Sequence, residues 1–295
     1  MPTVFGHSLT ELLAQLLLGL VNGSFYALLS LGLAVIFGLL NVINFAHGAL
    51  YMLGAMLAWI GGEYFGIGYW PMLLIAPVVV GASGIVFERF LLRRLYGLDH
   101  LYGLLLTFGL TLLVEGVFRS FFGVSGQPYS IPEGLGGVFR LGFMVLPVYR
   151  VWVVAISLVV CLATWFVIER TSLGALLRAG TENAPLTKAF GVNVPLMITL
   201  TYGFGVALAA LAGVLAAPIL QVQPLMGSNL IIVVFAIVVI GGLGSIGGAI
   251  VTGLAMGVIE GFTKVFYSVG SSTVIFFVMA IVLLMRPSGL FGREH

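Results

Sequence analysis

Residues 12–62 read LLAQLLLGLVNGSFYALLSLGLAVIFGLLNVINFAHGALYMLGAMLAWIGG, with no Asp, Glu, Lys or Arg between Glu11 and Glu63. A helix that crosses a bilayer needs about 20 apolar residues rising about 1.5 Å each. This one stretch is therefore long enough for two or three passes. Unpaired backbone groups are costly in lipid, so its Leu-, Ile-, Val-, Phe- and Ala-rich runs read as helices. A second charge-free stretch separates Lys188 from Glu260. Across the 295 residues, 61% are hydrophobic and 7% charged, against about 45–50% and about 25% in a soluble domain. A soluble enzyme, a nucleic-acid-binding domain and a disordered tail are excluded. The fold class is all-α: one polytopic membrane domain over residues 1–295, with eight to ten transmembrane or broken helices.

Expected spans are 10–38, 46–62, 69–88, 101–122, 151–168, 193–216, 230–244, 248–264 and 271–286. The first exceeds a membrane core of about 30 Å, so it tilts, projects, or breaks near Asn22–Gly23. No basic residue precedes Arg89, so no secretory signal peptide is expected and the first span itself serves for insertion. Cytoplasmic loops carry the Lys/Arg excess. Arg89, Arg93 and Arg94 fall in one loop, Arg170, Arg178 and Lys188 in another, and Arg286 and Arg293 in the C-terminal tail. All three regions lie on one side, which places the C-terminus in the cytoplasm. The 123–150 and 217–229 loops then face outward, the former a Gly/Pro-rich surface loop.

Glycine occurs 41 times, about twice its usual share. Period-four ridges of small residues run along Ser245, Ala249, Gly253, Gly257 and Gly261, along Gly205, Ala209, Gly213 and Ala217, and along Gly54, Ala58 and Gly62. Such ridges let helix backbones approach closely, either as fixed packing or as a sliding contact. Two apolar runs are interrupted, by Asn41-Val42-Ile43-Asn44-Phe45-Ala46-His47-Gly48 and by Gly241-Gly242-Leu243-Gly244-Ser245-Ile246-Gly247-Gly248. Paired interruptions, one in each half, point to discontinuous helices and possible inverted-repeat halves; two turns at the membrane edge would read the same.

Polar side chains within spans often line a path. The translocation-path candidates are Asn22, Ser24, Tyr26, Asn41, Asn44, His47, Gly242, Gly244 and Ser245. Glu115 with Arg119, and Glu260 with Lys264, have the i,i+4 spacing of ion pairs. His47 has no second ligand at metal spacing and reads as a hydrogen-bonded structural histidine. The lone Cys161 forms no internal disulfide, and no metal site is expected. Gly242–Gly247 matches G-x-G-x-x-G, but it lacks the flanking strand and the correctly spaced acid of a dinucleotide site. No catalytic motif appears, and neither Lys188 nor Lys264 sits in a P-loop. The chain is expected to be no enzyme and to hold no cofactor.

Residues 171–192 carry a further pattern. Thr181 can cap a short helix with Glu182, Asn183 and Pro185 in its first turn, ended by Gly191. The helix presents Phe190 as a knob for a partner's groove; a plain basic loop is the alternative.

At this segment Arg178-Ala179-x-x-Glu182-Asn183-x-x-x-x-x-Ala189-x-Gly191-Val192 resembles the coupling loop of bacterial ABC-importer permeases. Residues 20–28 through 41–48, residues 240–248, and the ending Met285-Arg286-Pro287-Ser288-Gly289-Leu290-Phe291-Gly292 are similar to branched-chain amino acid permeases, the shorter of the two such systems use. Gly248 departs from the family, where Pro-Gly is common near this point. The resemblance implies a heteromeric importer of the inner membrane. A second permease completes the path as a heterodimer, two cytoplasmic ATPases supply ATP and Mg chemistry, and an external binding protein delivers the amino acid. It also assigns Arg178, Ala179, Glu182, Asn183, Ala189, Phe190 and Gly191 to the ATPase contact. The competing reading is an ion-coupled secondary transporter or channel, which requires ionisable residues in mid-membrane; the spans above place nearly every charge at an edge.

Overall fold

The structure, a computed structural model, describes residues 3–4, 7–40 and 44–292. Nine helices correspond to the nine expected spans: α1 (Leu9–Leu40), α2 (Ala46–Phe65), α3 (Tyr69–Phe90), α4 (His100–Phe122), α5 (Val148–Arg170), α8 (Val194–Ala216), α9 (Ser228–Gly241), α10 (Ile246–Phe266) and α11 (Val274–Met285). Two more, α6 (Ser172–Glu182) and α7 (Ala184–Ala189), form the connection between α5 and α8. Six described helices, α1, α3, α4, α5, α8 and α10, are long and apolar enough to cross a membrane. The described sheet structure is confined to two small hairpins, Thr3–Val4 with His7–Ser8 and Val138–Arg140 with Val145–Pro147.

α1 does not break at Asn22–Gly23. Its 32 residues run unbroken, about 48 Å at 1.5 Å per residue. Leu, Ile and Ala on both flanks hold it, because α10 packs on one side and α8 on another, so most of its length is buried. The small-residue ridges form these seams. A Cβ added at Gly253 would lie 2.5 Å from Ala27 Cα, one at Gly257 would strike Gly23, and one at Gly261 would lie 2.6 Å from the Gln15 carbonyl. On α8, a Cβ at Gly205 would meet Ile36 at 2.6 Å, while Gly213 sits against Tyr51 and Ala55 of α2. Gly54 of α2 faces Ala210 of α8. The ridges are thus tight packing surfaces between α1, α2, α8 and α10, which form the centre of the molecule. By contrast α3, α4 and α5 leave most of their apolar surface uncovered, as lipid or a partner helix would require.

α9 and α11 have 14 and 12 residues. Their lengths are about 21 Å and about 18 Å, short of a core of about 30 Å. The segment 217–227 ahead of α9 supplies the missing length. Val222 pairs with Gln127 in the loop beyond α4, yet Gly227 lies against Gly48 and Ser228 reaches Glu115, sixteenth of the 23 residues of α4. This segment therefore descends from the α4 loop into the helical layer before α9 begins.

Candidate functional site

The second sequence interruption packs against the end of α1, a few residues ahead of the first. α1 ends at Leu40 and α2 begins at Ala46; Asn41, Val42 and Ile43 lie outside the described residues, so the Asn41 candidate has no structural account. At the second interruption, Gly242 (φ 100°) and Gly244 (φ 84°) adopt left-handed conformations that glycine tolerates without a Cβ penalty. Ser245 then caps α10, its hydroxyl accepting from Gly248 N–H at 3.0 Å. Gly244 presses on the last turns of α1, where a Cβ at Gly38 would lie 2.6 Å from Gly244 Cα. The C-terminal tail closes the same junction, with Leu290 N–H donating to Ile240 O and Phe291 N–H to Gly241 O.

The α1–α2 junction lies inside the helical layer. Phe45 N–H donates to Thr107 Oγ1 of α4 at 3.2 Å, and the Asn44 side chain lies beside the Tyr202 hydroxyl of α8. Thr107 and Tyr202 stand seven and eight residues beyond the first residues of their helices. That places the junction about 10–12 Å inward of those ends, a discontinuity at depth rather than a turn at the edge. Phe45 also stacks on Phe235 of the short α9, at 4.9 Å between centroids.

The remaining polar candidates do not converge on one point. Asn22 is half-buried. Ser24 is fully buried but donates to Val21 O of its own helix at 2.7 Å. Tyr26 donates to Glu260 Oε2 of α10 at 2.7 Å, and Glu260 also pairs with Lys264 at 2.8 Å as its spacing predicts. His47 is fully buried, its Nε2 3.1 Å from Leu29 O of α1 and its Nδ1 without a hydrogen-bond partner among the described residues. Glu115 is a correction: its carboxylate meets the Ser228 hydroxyl rather than Arg119. A second correction concerns charge placement. Glu115 and Glu260 are buried inside α4 and α10, away from the helix ends, while Glu88 is buried near the end of α3. Each is held by a hydroxyl from another part of the chain, which offsets the cost of removing a carboxylate from water. Glu88 in particular carried no sequence signal, because its partners Tyr96 and Thr199 are brought to it only by folding.

The 171–192 segment also differs from expectation. Two helices form where one was expected. Asn183, not Thr181, is the cap of α7, accepting from Leu186 N–H at 3.0 Å; Glu182 ends α6, and Thr181 donates to Arg178 O. An asparagine oxygen reaches the N3 amide while its backbone leaves the helical region, and Pro185 in the first turn lacks the N–H that would otherwise go unpaired. Arg178 turns inward. Its Nη1 donates to Ile168 O at 2.8 Å and lies 3.6 Å from Glu169, satisfying the carboxyl end of α5. The Ala179 carbonyl accepts from Asn183 N–H and from Thr187 Oγ1 at 2.9 Å, which fixes α7 against α6. Gly191 (φ 82°) ends the motif. Glu182, Asn183, Ala189 and Phe190 stay exposed, with Phe190 at 80% beside an exposed Leu186. The product is a braced arm with an apolar tip, leading straight into α8.

At the opposite end, Gln127 and Val222 exchange two backbone hydrogen bonds of 2.8 Å, joining the 123–150 and 217–229 loops into one surface. Beside them opens a cleft of about 650 Å³, lined by Trp59, Glu63, Tyr69, Trp70, Tyr129 and Glu133 among others. Burial pushes the Tyr129 hydroxyl up to about 12, so it remains a neutral donor at physiological pH.

The family model described as branched-chain amino acid transport system, permease component, matches residues 15–285. The chain belongs to this family. It is 32% identical to the high-affinity branched-chain amino acid transport system permease protein BraD of Pseudomonas aeruginosa, over 100% of this chain and 99% of that protein. It is 28% identical to the permease protein LivH of Escherichia coli K12, covering 96% of each. It is also 27% identical to LivM of the same organism, over 90% of this chain and 67% of LivM. LivH and LivM are both named as permease proteins of that transport system. This permease is thus a multi-pass membrane protein, related to both.

Proposed function

We propose that this chain is one permease subunit of an ATP-driven importer for branched-chain or related amino acids. A second, related permease completes the path, two ATPase subunits dock on the basic face and bind ATP and Mg, and an external binding protein delivers the solute. The observation that carries the reading is the braced α6–α7 arm in a chain of this family. Its exposed Leu186 and Phe190 offer an apolar knob to a partner groove, while Arg178 and Thr187 tie the knob to α5 and α6. A push on the arm passes to α8 through four residues, because a rigid element transmits displacement where a flexible loop absorbs it. The joined outer loops and their aromatic, acidic cleft offer the binding protein a continuous surface. The junctions at Asn44 and at Gly242–Ser245, together with the short α9, form the discontinuous region where backbone polar groups face a solute path. The C-terminus lies on the cytoplasmic side, with Arg286.

The ion-coupled alternative is disfavoured by the settings of its candidate coupling groups: Glu88, Glu115 and Glu260 each hold a hydroxyl partner. The deciding experiment isolates tagged chain from native membranes and reconstitutes it in liposomes. Copurification of two P-loop ATPases and a second permease, with leucine uptake that depends on ATP, is the expected result. Uptake by the purified chain alone without ATP would sink the proposal.

A further inference from the structure

Glu88 lies near the end of α3 and is fully buried. A buried carboxylate is kept only where its oxygens are engaged. Here one oxygen, Oε1, accepts from the Tyr96 hydroxyl at 2.9 Å, in the loop between α3 and α4. The other, Oε2, accepts from Thr199 Oγ1 at 2.6 Å, in the second turn of α8. Burial and the neighbouring Glu88 carboxylate both raise the pKa of Tyr96, so its hydroxyl stays protonated and remains a donor. Glu88 therefore joins α3, the 91–99 loop and the start of α8.

The Thr199 hydroxyl has a second acceptor within reach. Pro195 O, one turn back on its own helix, lies 3.0 Å away. A single hydroxyl proton serves one acceptor well at a time, and a Thr back-bond of this kind is an ordinary local alternative. Thr199 can thus leave Glu88 without losing its hydrogen bond. Deeper in the layer α3 and α8 meet through glycines: a Cβ at Gly81 would lie 3.1 Å from Gly203 O, and one at Gly203 would lie 3.2 Å from Gly81 O. The Ile85 side chain also seats on Gly203, where a Cβ would strike Ile85 Cγ1, so this close contact is a fixed fulcrum, and the polar tie stands closer to the α7 arm than the fulcrum does.

We propose that Glu88 is a positioning residue, a releasable latch through which movement of the α7 arm and α8 is shared with α3 and the 91–99 loop. The latch rests on the importer reading for the source of that movement. When the arm moves α8, the bond between Thr199 and Glu88 carries α3 and the start of α4 along; when the bond passes to Pro195 O, α8 moves alone. The tie needs a hydroxyl at 96 and at 199 and a carboxylate at 88, and it involves no proton transfer.

The test uses the complete transporter in liposomes and two readouts. Tyr96→Phe removes only the loop's tie and should raise backbone hydrogen exchange across 91–99 about tenfold, the scale of one hydrogen bond to a charged group. Thr199→Val, which keeps the side-chain shape, should lower leucine taken up per ATP hydrolysed at least about fivefold, within the usual range of coupling effects. Subunit assembly should be retained, the melting temperature should fall modestly because one Glu88 oxygen loses its donor, and Thr199→Ser should restore both the ratio and the melting temperature. Unchanged exchange in Tyr96→Phe overturns the latch. So does an unchanged uptake-to-ATP ratio in Thr199→Val, or a loss that tracks loss of assembled complex. A wild-type complex that hydrolyses no ATP overturns the importer reading instead, while exchange at 91–99 still reports on the tie itself.

Discussion

Tyr26 and Ser24 are neighbours on α1, yet their hydroxyls do different things. Ser24 bonds a carbonyl of its own helix, so removing it costs little that the helix does not already supply. Tyr26 supplies a neutral donor to Glu260, whose side chain is 8% exposed and also paired with Lys264. Its removal strands one carboxylate oxygen in a site that water reaches poorly. Tyr26→Phe should therefore destabilise the permease by about 1–3 kcal/mol, and Ser24→Ala by much less, as measured by thermal melting in one detergent. Equal melting shifts for the two variants would contradict the assignment. The Glu260–Lys264 half of this contact is readable in the sequence, because four residues of helix bring the pair together. The Tyr26 half is not: its separation in sequence is 234 residues, and no local period relates them. Glu88 and Glu115 were opaque for the same reason, since each finds its hydroxyl on another element.

At the scale of elements, the nine membrane-layer helices were legible because long gaps between charges mark them, whatever their tertiary neighbours. Their depth was not. The α1–α2 junction is placed by contacts to Thr107 and Tyr202, which the sequence does not announce. α6 was missed because Gly174 and Gly180 lower its helix propensity; the structure requires Gly174, which sits against the Ile168 carbonyl with no room for a Cβ. The seam between α1 and α10 gives a direct test of backbone proximity. Gly257→Val would drive its side chain into Gly23, an overpacking expected to cost about 1–3 kcal/mol or more, seen as a lower melting temperature or loss of assembled protein. Wild-type behaviour would contradict the seam. Asn183→Ala tests the arm. Loss of a cap costs about 1 kcal/mol, enough to fray the six-residue α7 while the membrane helices stay intact. Uptake per ATP should fall and assembly should not; a variant that couples normally would remove α7 from the coupling path.

At the scale of the molecule, burial divides the helices into a centre and a rim. α1, α8 and α10 are more than half buried over their apolar windows, whereas α3, α4 and α5 are buried over 28% or less. The central helices owe their burial to glycine seams, and those seams allow the polar junctions to sit at depth without lipid contact. The rim leaves both ends accessible, so sidedness can be read from chemistry at the ends. Arg89, Arg93, Arg94, Arg170, Arg178 and Lys188 cluster around the α3–α4 loop and the α6–α7 arm, and in the orientation proposed above, which follows the positive-inside bias, that end faces the cytoplasm. Cys161 is fully buried and gives little background reaction. A cysteine introduced at exposed Ser130, beside the outer cleft, should therefore react with a membrane-impermeant maleimide in intact cells or spheroplasts. One at Phe190, which is 80% exposed, should react only after the membrane is opened, and both should react in detergent. The reverse pattern would invert the molecule and detach the arm from any cytoplasmic ATPase. Labelling at neither site in detergent would contradict the exposure on which the arm's role depends.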